Sequence, residues 1–178
     1  MKPPTPFVLN NISISSFQAA DAPAIYYCMQ DKTISENTLR IPWPYTMDDA
    51  HTWLSENEKF EAEQGYKKNY AIRDANGLLM GGIGIHFNYG READKSEFGY
   101  WLGKDYRNKG VITEAIKQFC ALAKEVFKIK TLEAHVFSTN AASMRALLKA
   151  GFTQTAILPA YYNKDGAILD AIKFERQL

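Results

Sequence analysis

Four consecutive residues, Arg107-Asn108-Lys109-Gly110, join a stretch that alternates like a strand to one that repeats like a helix. A turn at such a place leaves backbone N–H groups without partners at the positive end of a helix dipole. Gly110 lets a ligand approach the main chain, while Arg107 and Lys109 add positive charge. Residue types and spacing therefore suit the holding of a phosphate. No G-x-x-x-x-G-K-[ST] occurs, and no G-x-G-x-x-G follows a strand, which sets aside the two commonest nucleotide cradles. Proton chemistry has two candidates nearby in the chain. Glu97 lies ten residues before Arg107, and His135, on a later strand-like run, carries an imidazole able to take a proton near pH 7.

The run Glu97-Phe98-Gly99-Tyr100-Trp101-Leu102, then Tyr106 to Gly110, then Thr113-Glu114-Ala115, resembles the acetyl-CoA motif of the GNAT superfamily. Within it the chain is most similar to the ribosomal-protein alanine N-acetyltransferases of the RimJ/RimL type. Arg107 and Gly110 match the pattern [RQ]-x-x-G-x-[GA], and Ile112 stands where Gly or Ala is usual. The departure bears on the tightness of the pyrophosphate turn, whose ligands are mainly backbone amides. The resemblance implies acetyl-CoA as co-substrate, without a metal. It is to be held by Trp101, Leu102, Arg107, Asn108, Lys109, Gly110, Val111, Ile112, Thr113, Asn140 and Ser143.

Acetyl transfer from a thioester to an amine needs a held CoA, a polarised carbonyl, a proton acceptor and a proton for the leaving sulfur. The resemblance implies that a backbone N–H near Trp101 or Leu102 meets the carbonyl, where the following strand diverges. It also implies Glu97 as the base, because histone-type members carry their glutamate at a matching position. His135 is the rival, near the place where another branch has its glutamate. Asn140-Ala141-Ala142-Ser143 matches the family's N-x-x-S; Asn140 is also a good helix cap in its own right. Many members carry a tyrosine seven residues after the asparagine as the acid. Here that position is Leu147, so the acid role falls to Ser143, with Tyr161 and Tyr162 as reserve donors or walls of the acceptor pocket.

These residues need elements to hold them. Phe98, Tyr100 and Leu102 share one strand face and Glu97, Gly99 and Trp101 the other. Ile112, Ala115, Ile116, Phe119, Ala123, Val126 and Phe127 follow helical spacing behind the turn. Upstream, the pattern predicts a strand from Phe7 to Phe17, a helix from Ala22 to about Asp31 capped by Asp21, and a helix from Asp48 to about Gln64. Between those helices, Trp43 and Tyr45 sit in a proline-braced loop, read either as the rim of a pocket or as a staple for the next helix. Asn69 to Arg73 and Leu78 to Phe87 form a hairpin, and Gly81, Gly82 and Gly84 in its second strand signal a bulge or close packing. Leu132 to Phe137 is a strand, Ala141 to Ala150 a helix, and Phe152 to Leu158 with Ile168 to Glu175 a last hairpin. The expected fold is α/β of the α+β type. The GNAT order supplies a mixed, mostly antiparallel sheet of six to seven strands, splayed at the acetyl-CoA site, with about four helices.

At 178 residues, with 46% hydrophobic content, the chain is expected to form a single domain over 1–178. Net charge is +1 and no segment concentrates Lys and Arg, so nucleic acid is not an expected partner. Apolar runs are too short for a membrane span and the start, MKPPTPFVL, lacks a signal-type apolar region. Cys28 and Cys120 show no ligand spacing to the three histidines and read as reduced cytoplasmic thiols. The expectation is a cytoplasmic N-acetyltransferase, monomer or homodimer, acting on a peptide or protein N-terminal α-amine. The alternatives are a small amine such as a polyamine or aminoglycoside as acceptor, or a non-catalytic CoA-binding domain.

Overall fold

Asn11 adopts a left-handed conformation, with φ of 64°, and folds the first expected strand back on itself. β1 (Phe7–Leu9) and β2 (Ile12–Ser15) thus pair as a hairpin, Phe7 with Ile14 and Leu9 with Ile12. The computed structural model describes residues 11–87, 89–90 and 93–178, together with the backbone of 7–9. The proline-rich lead-in and Glu92 lie outside them. The chain divides into two units, Met1–Gly84 with Tyr100–Ala115, and Ile85–Gly99 with Ile116–Leu178.

The first unit contains β1, β2, α1 (Ala22–Met29), α2 (Lys32–Glu36), α3 (Met47–Gln64), β3 (Asn69–Arg73) and the body of β4 (Leu79–His86). Its strands follow the order β1-β2-β3-β4, each antiparallel to the next. Asp21 does not cap α1 as expected. Its carboxylate accepts from the Gln18 N–H at 2.7 Å and from the Arg73 guanidinium at 2.6 and 2.9 Å, tying the approach to α1 onto β3. Asp31 caps α2 by accepting from the Thr33 N–H. Thr46 and Asp49 close a reciprocal capping box on α3, which ends at Gly65 with φ of 74°. Ile25, Met29, Ile34, Leu54 and Leu79 pack as the core of this unit.

The second unit carries β5 (Lys95–Leu102) as far as Gly99, β6 (Thr131–Phe137), α5 (Ala141–Lys149), β7 (Thr153–Lys164) and β8 (Ala167–Gln177). Their order is β5-β6-β8-β7, with β5 and β6 parallel and the rest antiparallel. Phe98 stacks on Phe119 at 5.8 Å and lies 5.3 Å from Phe152, which centres the core. The β5–β6 ladder registers three pairs, from Lys95 with Thr131 to Glu97 with Glu133. β5 nevertheless continues to Leu102, so its last residues stand beyond that ladder. Helix α4 (Val111–Phe127), like β4 and β5, contributes residues to both units. The mixed, largely antiparallel α/β architecture is as expected. The short α2 and the splitting of the first strand are what the sequence pattern did not separate.

Candidate active site

In the first unit the candidate residues sit on the end of β5, the turn after it and the start of α4. Glycine is required in β4 because Trp101 crosses it. A Cβ at Gly82 would stand 2.6 Å from Trp101 Nε1, and one at Gly81 would run into the Trp101 carbonyl. Trp101 in turn packs against the core of the unit. After Leu102, the Gly103 N–H donates to the Met80 carbonyl at 2.9 Å, and a 3-10 turn over Lys104–Tyr106 leads to Arg107.

Asn108 and Gly110 both adopt positive φ, 61° and 78°, which bends the chain sharply into α4. A Cβ at Gly110 would meet nothing within 4 Å. The space above the turn is open. The Glu114 N–H makes the first helical bond, to the Gly110 carbonyl at 3.1 Å. The amides of Val111, Ile112 and Thr113 precede it and have no acceptor within the helix. Open approach, a left-handed glycine and first-turn amides fit a phosphate. Ile112 is half-buried in this first turn and leaves the amides in place.

The two cations of the turn are engaged by the protein. Arg107 donates through Nε and Nη2 to the Leu102 carbonyl, at 3.2 and 3.1 Å, and through Nη1 to Thr33 Oγ1 at 2.9 Å. Its Nη2 also lies 2.7 Å from Asp31 Oδ2. Burial alone would raise the Asp31 pKa, but hydrogen bonds from Thr33 and the adjacent Arg107 outweigh it and hold the carboxyl below its usual range. Lys109 Nζ donates to the Asp105 carbonyl at 2.8 Å. Arg107 thus fixes the end of β5 to the cap of α2. Of the two loop aromatics, Trp43 is exposed. Tyr45 is a correction to the rim reading: it is buried in the core, and burial, with Asp49 nearby, pushes its hydroxyl up to about 12.

In the second unit, Glu97 and His135 face each other. His135 Nδ1 lies 3.5 Å from Glu97 Oε2, and the two side chains are 5% and 15% exposed. His135 meets the Tyr161 ring edge-on at 5.2 Å, and Tyr161 meets Tyr162 at 4.7 Å. Tyr162 leans on Phe137 at 5.4 Å, so Tyr161, half exposed, continues an aromatic wall from the buried imidazole outward. Two residues before His135 is a group that sequence reasoning missed. Glu133 is fully buried, registers beside Glu97, and receives Lys173 Nζ at 2.8 Å, Lys95 Nζ at 3.6 Å and the Tyr89 hydroxyl. Burial would raise its pKa; the bonds from Lys173 and Tyr89, with Lys95, hold it below the ordinary value. The bond to Glu133 pushes Tyr89 up to about 12. Lys173, bonded also to Glu175 at 2.8 Å, is shifted upward. The available signal was the alternation Glu133, His135 on one strand opposite Lys173 on another, legible only once the strands are paired.

Asn140 caps α5, its side chain accepting from the Ser143 N–H at 3.1 Å, with Ser143 half-buried in the first turn. Leu147 is fully buried in the core, so the helix face that carries it packs inward. Among the described residues, no three His, Cys, Asp or Glu side chains are grouped as a metal site. No helix of theirs is long and apolar enough to cross a membrane.

A family profile described as "Acetyltransferase (GNAT) domain" matches residues 11–153. The chain is 32% identical over 115 residues to the probable N-acetyltransferase YjcK of Bacillus subtilis, covering 64% of this chain and 62% of that protein. It is 23% identical over 169 residues to the L-amino acid N-acetyltransferase AaaT of Escherichia coli, covering 94% and 99%. Among solved structures, a GNAT-family acetyltransferase from Bacillus anthracis superposes with a TM-score of 0.85 at 18% identity, over 97% of this chain and 98% of that one. The microcin C7 self-immunity acetyltransferase MccE, solved with acetyl-CoA and AMP, gives 0.81 at 18%, over 96% and 94%. RimL, a ribosomal L7/L12 α-N-protein acetyltransferase solved with coenzyme A, gives 0.79 at 16%, over 97% and 97%.

Proposed function

The chain belongs to the GNAT acetyltransferase family, and from that premise we propose that it acetylates the N-terminal α-amine of a peptide or protein. Enzymes of this family draw on acetyl-CoA, whose thioester supplies the activated acetyl group. Here the amides of Val111, Ile112 and Thr113, with Asn108, Lys109 and Gly110 shaping the turn, would hold its pyrophosphate. Arg107 would act on the cofactor by fixing this turn. An amide at Trp101 or Leu102 would meet the carbonyl, and Asn140 would set Ser143 to protonate the sulfur. Glu97 would take the amine proton. Trp43 and Tyr161, both exposed, and the half-buried Tyr162 are the aromatics offered to the acceptor.

The observation that carries the choice of acceptor is the charge balance of the carboxylates in the second unit. Glu133 and Glu175 are paired with Lys173 and Lys95, Asp94 with Lys130, and the Asp170 carboxylate accepts from the Ala160 N–H. Three of these four carboxylates are matched by three lysines, and the one left over, Asp170, does not make the acidic cluster that a polycation would need. An α-amine asks least of the base, being about one-seventh neutral at pH 7 against about one part in 2,500 for a lysine. The likeness to RimL supports an N-terminal acceptor. AaaT favours a second reading, a free amino acid, which presents the same α-amine. Two buried unpaired thiols, Cys28 and Cys120, support a reducing, cytoplasmic setting.

A thiol-release assay with a panel of acceptors tests this. Peptides with Ala or Ser at the N-terminus should give the highest kcat/KM, and N-terminally blocked peptides none. Highest turnover with free amino acids would select the second reading, and with spermidine or an aminoglycoside would overturn both.

A further inference from the structure

His135 Nδ1 is buried and has no hydrogen-bond partner among the described residues, yet a carboxylate oxygen of Glu97 lies only 3.5 Å away. Buried ring nitrogens are normally satisfied, and an orphan is costly. A neutral imidazole carries its proton on one ring nitrogen only: with the proton on Nδ1 the ring points a donor at the carboxylate, and without it two acceptors face each other across a gap that one proton can bridge. Resting on Glu97 as the group that takes the amine proton, we propose that Glu97 and His135 act as one proton-accepting pair, with the proton lodged between Glu97 Oε2 and His135 Nδ1.

The proton count closes. The neutral amine nitrogen forms its bond to the carbonyl carbon, the carbon–sulfur bond breaks with its electrons on sulfur, and the amine's proton goes to the pair. The sulfur gains a proton from Ser143 or water, and the pair returns its own to solvent. Before the step the pair carries one negative charge; afterwards it is an imidazolium beside a carboxylate, or a neutral acid beside a neutral imidazole. Either way its net charge falls to zero, which suits side chains as buried as these. A lone carboxylate, with an ordinary pKa near 4.3, is a poor match for a proton moved near pH 7, and the second acceptor supplies the missing basicity.

The charged groups nearby are engaged on Glu133. Lys173, opposite His135 on β8, is bonded to both Glu133 and Glu175. Lys95 on β5 sits by Glu133, which also receives Tyr89. From β7, Tyr161 presents its ring to His135 at 5.2 Å.

The test uses the intact protein. Histidine ring resonances, assigned among the three histidines by loss of one in His135→Asn, are titrated by NMR in wild type and in Glu97→Gln. Loss of the facing carboxylate should move the His135 midpoint. His135→Asn keeps an amide near the Nδ1 position but cannot store a proton. It should lower kcat/KM at pH 7 by roughly ten- to a hundredfold, recover as pH rises, and add nothing to the defect of Glu97→Gln. An unmoved His135 midpoint, a wild-type pH profile for His135→Asn, or multiplying defects in the double variant would each overturn the pair. If Glu97→Gln is impaired and His135→Asn is not, the pair alone fails. If Glu97→Gln is fully active at pH 7, the assignment of Glu97 fails with it.

Discussion

Ser143 and Leu147 show how one position decides what its neighbour can do. With Leu147 sealed in the core, Ser143→Ala should cut kcat by on the order of tenfold to a thousandfold while acetyl-CoA affinity stays near wild type. An unchanged kcat would pass the role to Tyr161, Tyr162 or water. Restoring the family's tyrosine by Leu147→Tyr should not rescue it. The larger ring would overpack the core at a cost of about 1–3 kcal/mol, visible as a lower urea midpoint. Glu133 offers a different test. A carboxyl whose folded pKa is depressed adds stability above its unfolded value, near 4.3, and loses it as pH falls through the lower folded value. Glu133→Gln should cost about 1.5–3 kcal/mol at pH 7 through the lost bonds to Lys173 and Tyr89. Its stability should also depend less on pH below about 4.5 than that of wild type. Equal acid sensitivity in the two proteins would show that Glu133 is not the group responsible.

At the scale of elements, the turn into α4 depends on backbone shape more than on side-chain charge. Gly110→Asn tolerates the left-handed φ and should leave stability within about 1 kcal/mol, yet its side chain would occupy the open approach and weaken acetyl-CoA binding markedly. Calorimetric affinity equal to wild type would remove the phosphate reading of this turn. Gly110→Val adds the strain of a β-branched residue at φ of 78° and should lower stability as well, by about 1–3 kcal/mol. Strands and helices were legible here because Phe98 and Leu102 alternate and Ile116, Phe119 and Ala123 recur at helical spacing. Asp21 was misread because an aspartate before a helix caps it only when no better partner is near, and Arg73 is nearer. Trp43 and Tyr45 look alike in sequence; only the packing of α1 and α3 shows that one is exposed and the other is core. Glu133 was invisible for the same reason, since a glutamate reads as surface until two lysines from other strands are brought to it.

For the molecule as a whole, the same few pairings that hold the fold also fix the candidate site residues in place. Each unit also conceals one cysteine: Cys28 in the first, against Gly103, and Cys120 in the second, against Arg176. Burial pushes each thiol up to about 11, so at pH 8 neither is appreciably ionised while its unit stays closed. Alkylation of either therefore waits for a local opening, and its rate clocks how often that unit breathes. The chain thus carries two independent chronometers that need no engineered label. A Cβ on Gly103 would lie 2.7 Å from Cys28 Sγ, one residue past the strand end proposed to meet the thioester. Saturating acetyl-CoA should therefore slow iodoacetamide labelling of Cys28 more than that of Cys120, read residue by residue by mass spectrometry. Equal slowing would mean that the ligand steadies both units alike, and the pair of clocks would then report its grip on each.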